Sequence, residues 1–269
     1  MDLNGSADVG VIGGTGFYAF LADAQDTVVQ TPFGSPSGPV TVGMVAGRRV
    51  AFLPRHGPGH EFPPHLIPYR ANMWALRSLG VRQVLAPCAV GGLLDTVAPG
   101  AVVVPDQLVD RTQGRSQSFV ESGAVHVPLA DPYCERLRLA VAKADPEVQQ
   151  GGTMVVIEGP RFSTRAESRH YAAQGWSLIN MTGHPEAVLA REMRQCYAAI
   201  ALVTDMDAGV KSGEGVGQAE VFELFARNLE RLRTLLVDTI RHLPDPEGCS
   251  CSTWADDVEL TYDVPGGPS

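Results

Sequence analysis

Asp205 and Asp207 stand two residues apart at the end of an apolar run, Ala198-Ala199-Ile200-Ala201-Leu202-Val203-Thr204. Extended backbone turns both carboxylates to one side. Two carboxylates this close rarely both ionise at neutral pH, so one keeps a proton that it can pass to a leaving group or a ring nitrogen. The plain alternative is an Asx-turn leading into Gly209. Arg55-His56, after Arg49-Val50-Ala51-Phe52-Leu53, sets a permanent cation with a planar fork of donors beside a titratable ring, a pair suited to an oxyanion. Gly13-Gly14-Thr15-Gly16 follows Val9-Gly10-Val11-Ile12, and its missing Cβ atoms let a ligand approach the backbone while Thr15 adds a hydroxyl. From Leu178 to Glu186 an apolar run stops at Asn180-Met181-Thr182-Gly183, and Pro185 opens a helical pattern. Such a junction directs unpaired N–H groups and the positive end of a helix at an anion. Taken alone, Thr182 and Gly183 would only cap the helix.

The elements that must carry these residues alternate between strand and helix patterns. Val9–Ile12 reads as a buried strand, and residues 40–45 and 49–53 as a hairpin. A helix from Tyr69 to Leu79 would place Ala71, Trp74, Ala75 and Ser78 on one face. Val84-Leu85-Ala86 reads as a strand ending in a small-residue loop, Pro87–Gly92; residues 106–122 read as polar and irregular. Helices follow over 137–144, from the capping box Thr164-Arg165-Ala166-Glu167 to Gln174, and over 219–241 with Val221, Leu224, Phe225, Leu229, Leu232, Leu235 and Leu236 inward. The expected fold is α/β: a single domain over residues 1–243, built on a central mixed, twisted β-sheet flanked by helices, with a loosely held tail over 244–269. Strand ends that share one sheet edge are where open α/β sheets bind ligands.

At 269 residues and 44% hydrophobic content the chain can bury a full core. A net charge of −9 without any Lys/Arg run argues against a nucleic-acid or anionic-membrane surface, and no apolar run is long enough to span a bilayer. The expectation is a cytoplasmic protein whose five cysteines are reduced. Cys249-Ser250-Cys251 offers half a zinc site at best, and His56, His60 and His65 lie among prolines with only Glu61 as a further donor, so no metal is expected. Gly14-Thr15-Gly16-Phe17-Tyr18-Ala19 fits a dinucleotide-binding loop, which would make an NAD(P)-dependent oxidoreductase, but a turn-rich segment, Thr31–Pro36, sits where the second strand and its acidic residue should be.

Taken in order, Val11–Gly16, Thr31-Pro32-Phe33-Gly34, Arg55-His56-Gly57, Tyr69–Leu76, Asp110-Arg111-Thr112, Glu158–Ser163, Asn180-Met181-Thr182 with Pro185-Glu186, and Thr204–Asp207 resemble the 5′-methylthioadenosine phosphorylases of the trimeric purine nucleoside phosphorylase superfamily. The resemblance implies a nucleoside phosphorylase-like fold and phosphorolysis of 5′-deoxy-5′-(methylthio)adenosine, with inorganic phosphate as co-substrate and no cofactor. It implies a phosphate site from Thr15, Arg55, His56, Ala89 and Thr182, with Cys88 where the family commonly has threonine. Met181 would meet the ribose; Phe162, Ser163, Asp205 and Asp207 would read the purine; His60, Val90, Gly91, Asn180, Gln218 and Val221 would complete the nucleoside pocket. His126 would reach a neighbouring subunit's site, which implies a homotrimer or a dimer of trimers. The 6-oxopurine branch carries Glu at Ser163 and Asn at Asp205, so the resemblance favours adenine. Gln218 stands where methylthio-specific members have valine, which leaves 5′-hydroxyl, 5′-halo and methylthioinosine substrates as alternatives. A non-catalytic nucleoside-binding protein would not need both aspartates. His184 and Glu186 are expected to be structural.

Overall fold

The computed structural model describes residues 6–14, 21–208 and 217–266. Its centre is three strands buried along nearly their whole length: β1 (Val9–Gly13), β5 (Gln83–Gly92) and β11 (Cys196–Met206). Continuous apolar runs of this kind belong in strands covered on both faces, and β1–β5 and β5–β11 are both parallel pairs. Outside β1 lie β4 (Arg48–Pro54), β3 (Val40–Val45) and the exposed β2 (Ala22–Thr27). On the other wing β10 (Leu178–Asn180), β9 (Thr153–Ile157) and β7 (Gln107–Arg111) continue the sheet, while β6 (Val102–Val104) and β8 (Gln149–Gln150) extend it from β11. The sheet is mixed: β3 is antiparallel to β4, and β10 is antiparallel to β5.

Side-chain alternation sorts the core into two layers. Tyr197, Ala199, Ala201 and Val203 of β11 join the cluster under α1 (Tyr69–Ser78) and α4 (Gly183–Glu192). Cys196, Ala198, Ile200 and Leu202 join the opposite cluster, under α2 (Glu135–Ala144) and α5 (Gln218–His242). On α1 the buried face is Ala71, Met73, Ala75 and Leu76, so Trp74 and Ser78 are only half-buried, at the edge of the expected stripe. The capping box at Thr164 is present and starts α3 (Arg165–Ala173).

Three expectations need correcting. The strand at Val84 does not stop at Pro87 but runs to Gly92. The Pro87 carbonyl faces away from β11, toward the Arg55 side chain, and the nitrogen of the same residue points the same way, so the missing N–H removes no bond from the β11 ladder. The segment after Asp106 is not wholly irregular, because β7 pairs with β9 in parallel. The tail is docked: Arg48 donates to the Leu243 carbonyl, Gln83 to Pro244, and Arg136 to Asp245 and Glu247. A four-residue helix, α6 (Ser250–Thr253), follows, and the Tyr262 hydroxyl donates to the Glu192 carbonyl. The first glycine loop does not open a dinucleotide fold either, since β1 reaches its parallel neighbour β4 through antiparallel β2 and β3.

Burial should govern the energetics of α5. Leu236→Ala, at a fully buried position, is expected to cost about 2–5 kcal/mol. Leu139→Ala on the exposed face of α2 should change stability by no more than about 0.5 kcal/mol. Urea midpoints of the two variants measure the contrast.

Candidate active site

β5 pairs with β1 only over Gln83–Leu85 and with β10 only over Gly91–Gly92. Between those contacts the same edge of β5, from Ala86 to Val90, has no strand beside it, and a cavity of about 410 Å³ opens there. Side chains take over the unpaired carbonyls. Arg55, just past β4, donates through Nη1 to Pro87 at 3.0 Å and through Nη2 to Ile12 at 2.8 Å. Asn180, the last residue of β10, donates through Nδ2 to Ala89 at 3.0 Å.

The guanidinium fork of Arg55 is turned toward Glu186, with Nε to Oε1 at 2.5 Å and Nη2 to Oε2 at 3.1 Å. The Tyr197 hydroxyl donates to the same carboxylate at 2.8 Å. Both charged side chains are almost completely buried, at 3% and 0% exposure. Burial alone would lower the Arg55 pKa, but Glu186 outweighs it and keeps the guanidinium charged. One Nη1 N–H is left for a ligand. Glu186 is thus structural in a specific sense: it is the counter-ion of Arg55.

The loop after β10 is also differently wired from expectation. Asn180 Oδ1 accepts from the backbone N–H groups of Thr182 at 2.7 Å and Gly183 at 2.6 Å. Those donors therefore hold the loop closed. Thr182 still lines the cavity, 6% exposed, with its hydroxyl donating to Asn180 Oδ1 at 3.3 Å. His184 is not helical, and regular α4 geometry begins at Pro185.

His56 gives Nδ1 to the Phe62 carbonyl at 2.9 Å and stacks on His60 with ring centroids 4.4 Å apart. A carbonyl only accepts, so Nδ1 carries the proton. Burial, with Arg55 and His60 nearby, lowers the His56 pKa to about 4, so the ring is neutral and Nε2 is an acceptor. Cys88 is a neutral thiol, pushed up to about 12 by burial.

At the other end of the cavity a β-bulge shifts the β11–β5 register between Val203 and Asp205. Asp205 Oδ1 accepts from the Thr204 hydroxyl at 2.8 Å, and Asp207 Oδ2 from the Ser168 hydroxyl at 2.5 Å. Gly91 leaves the room: a Cβ there would lie 3.2 Å from Asp205 Oδ2 and 2.8 Å from Ile179. Burial is the main cause that raises the Asp205 pKa to about 6, with repulsion from Asp207 a smaller contribution. Burial also raises Asp207, against the bond from Ser168. Desolvation rather than pairing therefore holds the proton, which modifies the sequence-based expectation. Ser163 Oγ is buried here without a protein partner.

Arg55, His56, His60, Cys88, Ala89, Val90, Gly91, Phe162, Ser163, Asn180, Met181, Thr182, Asp205, Asp207 and Val221 all border this one cavity. Thr15 lies outside the described residues. Gln218 does not join them: α5 lines the cavity only from Val221 onward, through Phe222, Phe225, Ala226 and Leu229, and its first turn is exposed. His126 is exposed and away from the cavity. Sequence reasoning missed Arg115. Its buried guanidinium donates to the carbonyls of Met181, His184, Ile157 and Glu158 and to the Tyr69 hydroxyl, tying two cavity loops together. No local motif marks it, because its acceptors come from distant segments.

The family model described as the phosphorylase superfamily matches residues 8–241. The chain is 56% identical over 258 residues to the S-methyl-5′-thioadenosine phosphorylase of Mycolicibacterium smegmatis, covering 96% of this chain and 99% of that protein. It is 55% identical over 260 residues to a purine nucleoside phosphorylase of Streptomyces coelicolor, covering 91% and 93%. Among solved structures, a methylthioadenosine phosphorylase from Schistosoma mansoni in complex with adenine superposes with a TM-score of 0.83 at 36% identity, over 87% of this chain and 91% of that one.

Removing one member of a buried ion pair leaves the other uncompensated. Glu186→Gln is expected to destabilise the protein by about 3–5 kcal/mol, read from the shift in its urea midpoint. A loss below about 1 kcal/mol, the range of exposed pairs, would mean that Arg55 does not depend on this carboxylate.

Proposed function

Because the chain belongs to the phosphorylase superfamily, we infer that it cleaves 5′-deoxy-5′-(methylthio)adenosine with inorganic phosphate, giving adenine and 5-methylthioribose 1-phosphate. It is an enzyme of the pentosyltransferase type. The observation that carries the substrate reading is the polarity of one cavity: anion donors at the β5 gap and, at the far end, two carboxyls whose pKa values burial raises.

Phosphate sits at the gap, held by the free Nη1 N–H of Arg55 and the Thr182 hydroxyl, with Ala89 and Cys88 beside it. Neutral His56 accepts the phosphate's own P–OH proton at Nε2, which orients the nucleophile. The glycosidic bond loosens through an oxocarbenium-like sugar resting on Met181, and phosphate oxygen attacks the anomeric carbon. Negative charge grows on the purine, and protonated Asp205 donates at N7 while Asp207 accepts from the exocyclic amine. The unpartnered Ser163 hydroxyl and the Phe162 ring complete the base site. The 5′ group meets Val221, Phe222, Phe225 and Leu229. This apolar wall, with Gln218 exposed, supports methylthio over hydroxyl and sets aside a polar 5′ site.

The finer reading extends to assembly and place. His126, exposed and not among the residues that line its own cavity, suits a contact with a neighbour's site in a homotrimer. Among the described residues no helix is long and apolar enough to cross a membrane. Five cysteines outside any disulfide suit the cytoplasm.

Purified protein should release adenine from 5′-deoxy-5′-(methylthio)adenosine only when phosphate is present; phosphate-independent cleavage would make it a hydrolase. In the same assay kcat/KM for adenosine should be lower by about tenfold or more, the scale of one apolar group in an apolar pocket. Equal values would move the reading toward a general adenine nucleoside phosphorylase.

Asp205→Asn separates chemistry from stability. It should lower kcat by about 10²-fold or more with adenine nucleosides, leave the phosphate KM unchanged, and abolish the fall in activity as pH rises through about 6. The folded pKa lies above the ordinary carboxylate value of 3.8, so ionising Asp205 costs stability as pH rises from about 4 to about 6. The Asn variant should therefore be the more stable one near pH 7.5, by on the order of 1–2 kcal/mol, with the difference vanishing toward pH 4. Parallel rate profiles and urea titrations measure both.

A further inference from the structure

Four of the five cysteines meet at one point. Cys134 is the N-cap of α2, Cys196 begins β11, and Cys249 and Cys251 are the N-cap and second residue of α6. All four are buried, and their sulfur atoms lie within 4.8 Å of one another. Cys134 Sγ and Cys249 Sγ are 3.7 Å apart. The remaining cysteine, Cys88, lines the cavity. Cys196 and Asp205 are at opposite ends of β11, roughly 30 Å apart at strand spacing, so this cluster takes no part in the chemistry described above.

Backbone bonds fix three sides of the cluster. The Cys134 N–H donates to the Tyr197 carbonyl, tying the start of α2 to β11 beside Cys196, whose own N–H donates to Arg82. The Cys249 carbonyl accepts from Ser252 and Thr253, closing α6 around the Cys-Ser-Cys segment. Arg194 Nε donates to the Ser252 carbonyl at 2.7 Å, tying α6 to the turn that follows α4. Two separate disulfides would sort four sulfurs into two pairs; here every sulfur approaches every other. In a tetrahedral thiolate centre with metal–sulfur bonds of about 2.3 Å, sulfur–sulfur edges come to about 3.8 Å, close to the Cys134–Cys249 separation.

We propose that Cys134, Cys196, Cys249 and Cys251 form a structural zinc site that clamps the C-terminal tail to the sheet. Four thiolates in a closed, buried tetrahedral set select Zn²⁺ over harder divalent ions and leave no open position for water or substrate. Binding displaces four thiol protons and leaves a centre of net charge −2. The sequence carries only half of the site in a recognisable spacing. The fold brings in the other half from 53 and 115 residues away along the chain, Cys196 and Cys134 relative to Cys249.

The test is metal analysis of the full chain purified under reducing conditions with zinc in the growth medium. About one zinc per chain is expected, as in other four-thiolate sites, with stoichiometric release by a mercurial thiol reagent. Replacement by Co²⁺ should give sulfur-to-cobalt charge-transfer absorption and the visible bands of a tetrahedral thiolate complex. Cys251→Ser should lose the zinc while Cys88→Ser keeps it; if Cys251→Ser does not fold, the cobalt spectrum of the unaltered chain decides. The proposal is overturned if the reduced protein takes up neither Zn²⁺ nor Co²⁺, or if intact mass and thiol counting show the four cysteines joined as two disulfides.

Discussion

The site depends on one buried ion pair set in a break in a β-sheet. β5 loses its neighbour from Ala86 to Val90, and the missing ladder is replaced by Arg55, whose donors reach Ile12, Pro87 and Glu186 at once. Five elements are thereby joined: the ends of β1 and β4, the middle of β5, α4 through Glu186 and β11 through Tyr197. Burying two charges costs several kcal/mol each before any attraction is counted. The pair is tolerable because its hydrogen-bonding capacity is nearly saturated. Its return is geometry, a cavity held open between strands that would otherwise close into an ordinary sheet.

Pairing Arg55 with Glu186 also decides what kind of anion site the gap can be. The guanidinium's charge is already balanced, and His56 is neutral, so an anion is held by directed donors rather than by a surplus of positive charge. Such donors are preorganised and pay no reorganisation as charge moves during reaction. The far end works by the opposite means. Burial raises the Asp205 pKa to about 6, so the proton that the proposed mechanism requires is favoured by the same exclusion of water that strengthens its hydrogen bonds. The two ends meet across about 410 Å³, the arrangement that the proposed function needs to bring phosphate and acid to one nucleoside.

Much of this was legible in the sequence, and the failures have physical causes. Continuous apolar runs identified β1 and β11, and the capping box located α3, because burial and capping are local. The residues of the cavity could be gathered because several strands end there. Pro87 misled, since proline is a strand breaker only where its N–H is needed, and which edge needs it is a tertiary fact. Asn180 reads as a ligand contact in the sequence; it borders the cavity, but most of its amide is engaged with Ala89, Thr182 and Gly183, which leaves one Nδ2 N–H. Glu186 and Arg115 were invisible as partners because the groups they satisfy lie far away in the chain. The cysteines failed in the same way: spacing along the sequence reveals a metal site only when its ligands come as local pairs.

Burial along α5 links the tail to the cavity. From Leu232 to Ile240 the helix presents Leu232, Leu235, Leu236 and Ile240 fully buried, whereas Val221, Leu224, Phe225 and Leu229 are only half-buried and Phe222 is 49% exposed. Local stability follows buried apolar contact, so the part of α5 over the cavity is the less firmly held part of a helix whose other end is anchored in the core. That anchor includes Leu243, Cys249 and Cys251, which pack in the same cluster as Leu232 and Ile240. The tail, although distant from the aspartates, thus sets the end from which the cavity's apolar wall is suspended. On the proposed function, the less firmly held part of α5 is the part that faces the substrate, while β5 and β11 hold the groups assigned to the reaction.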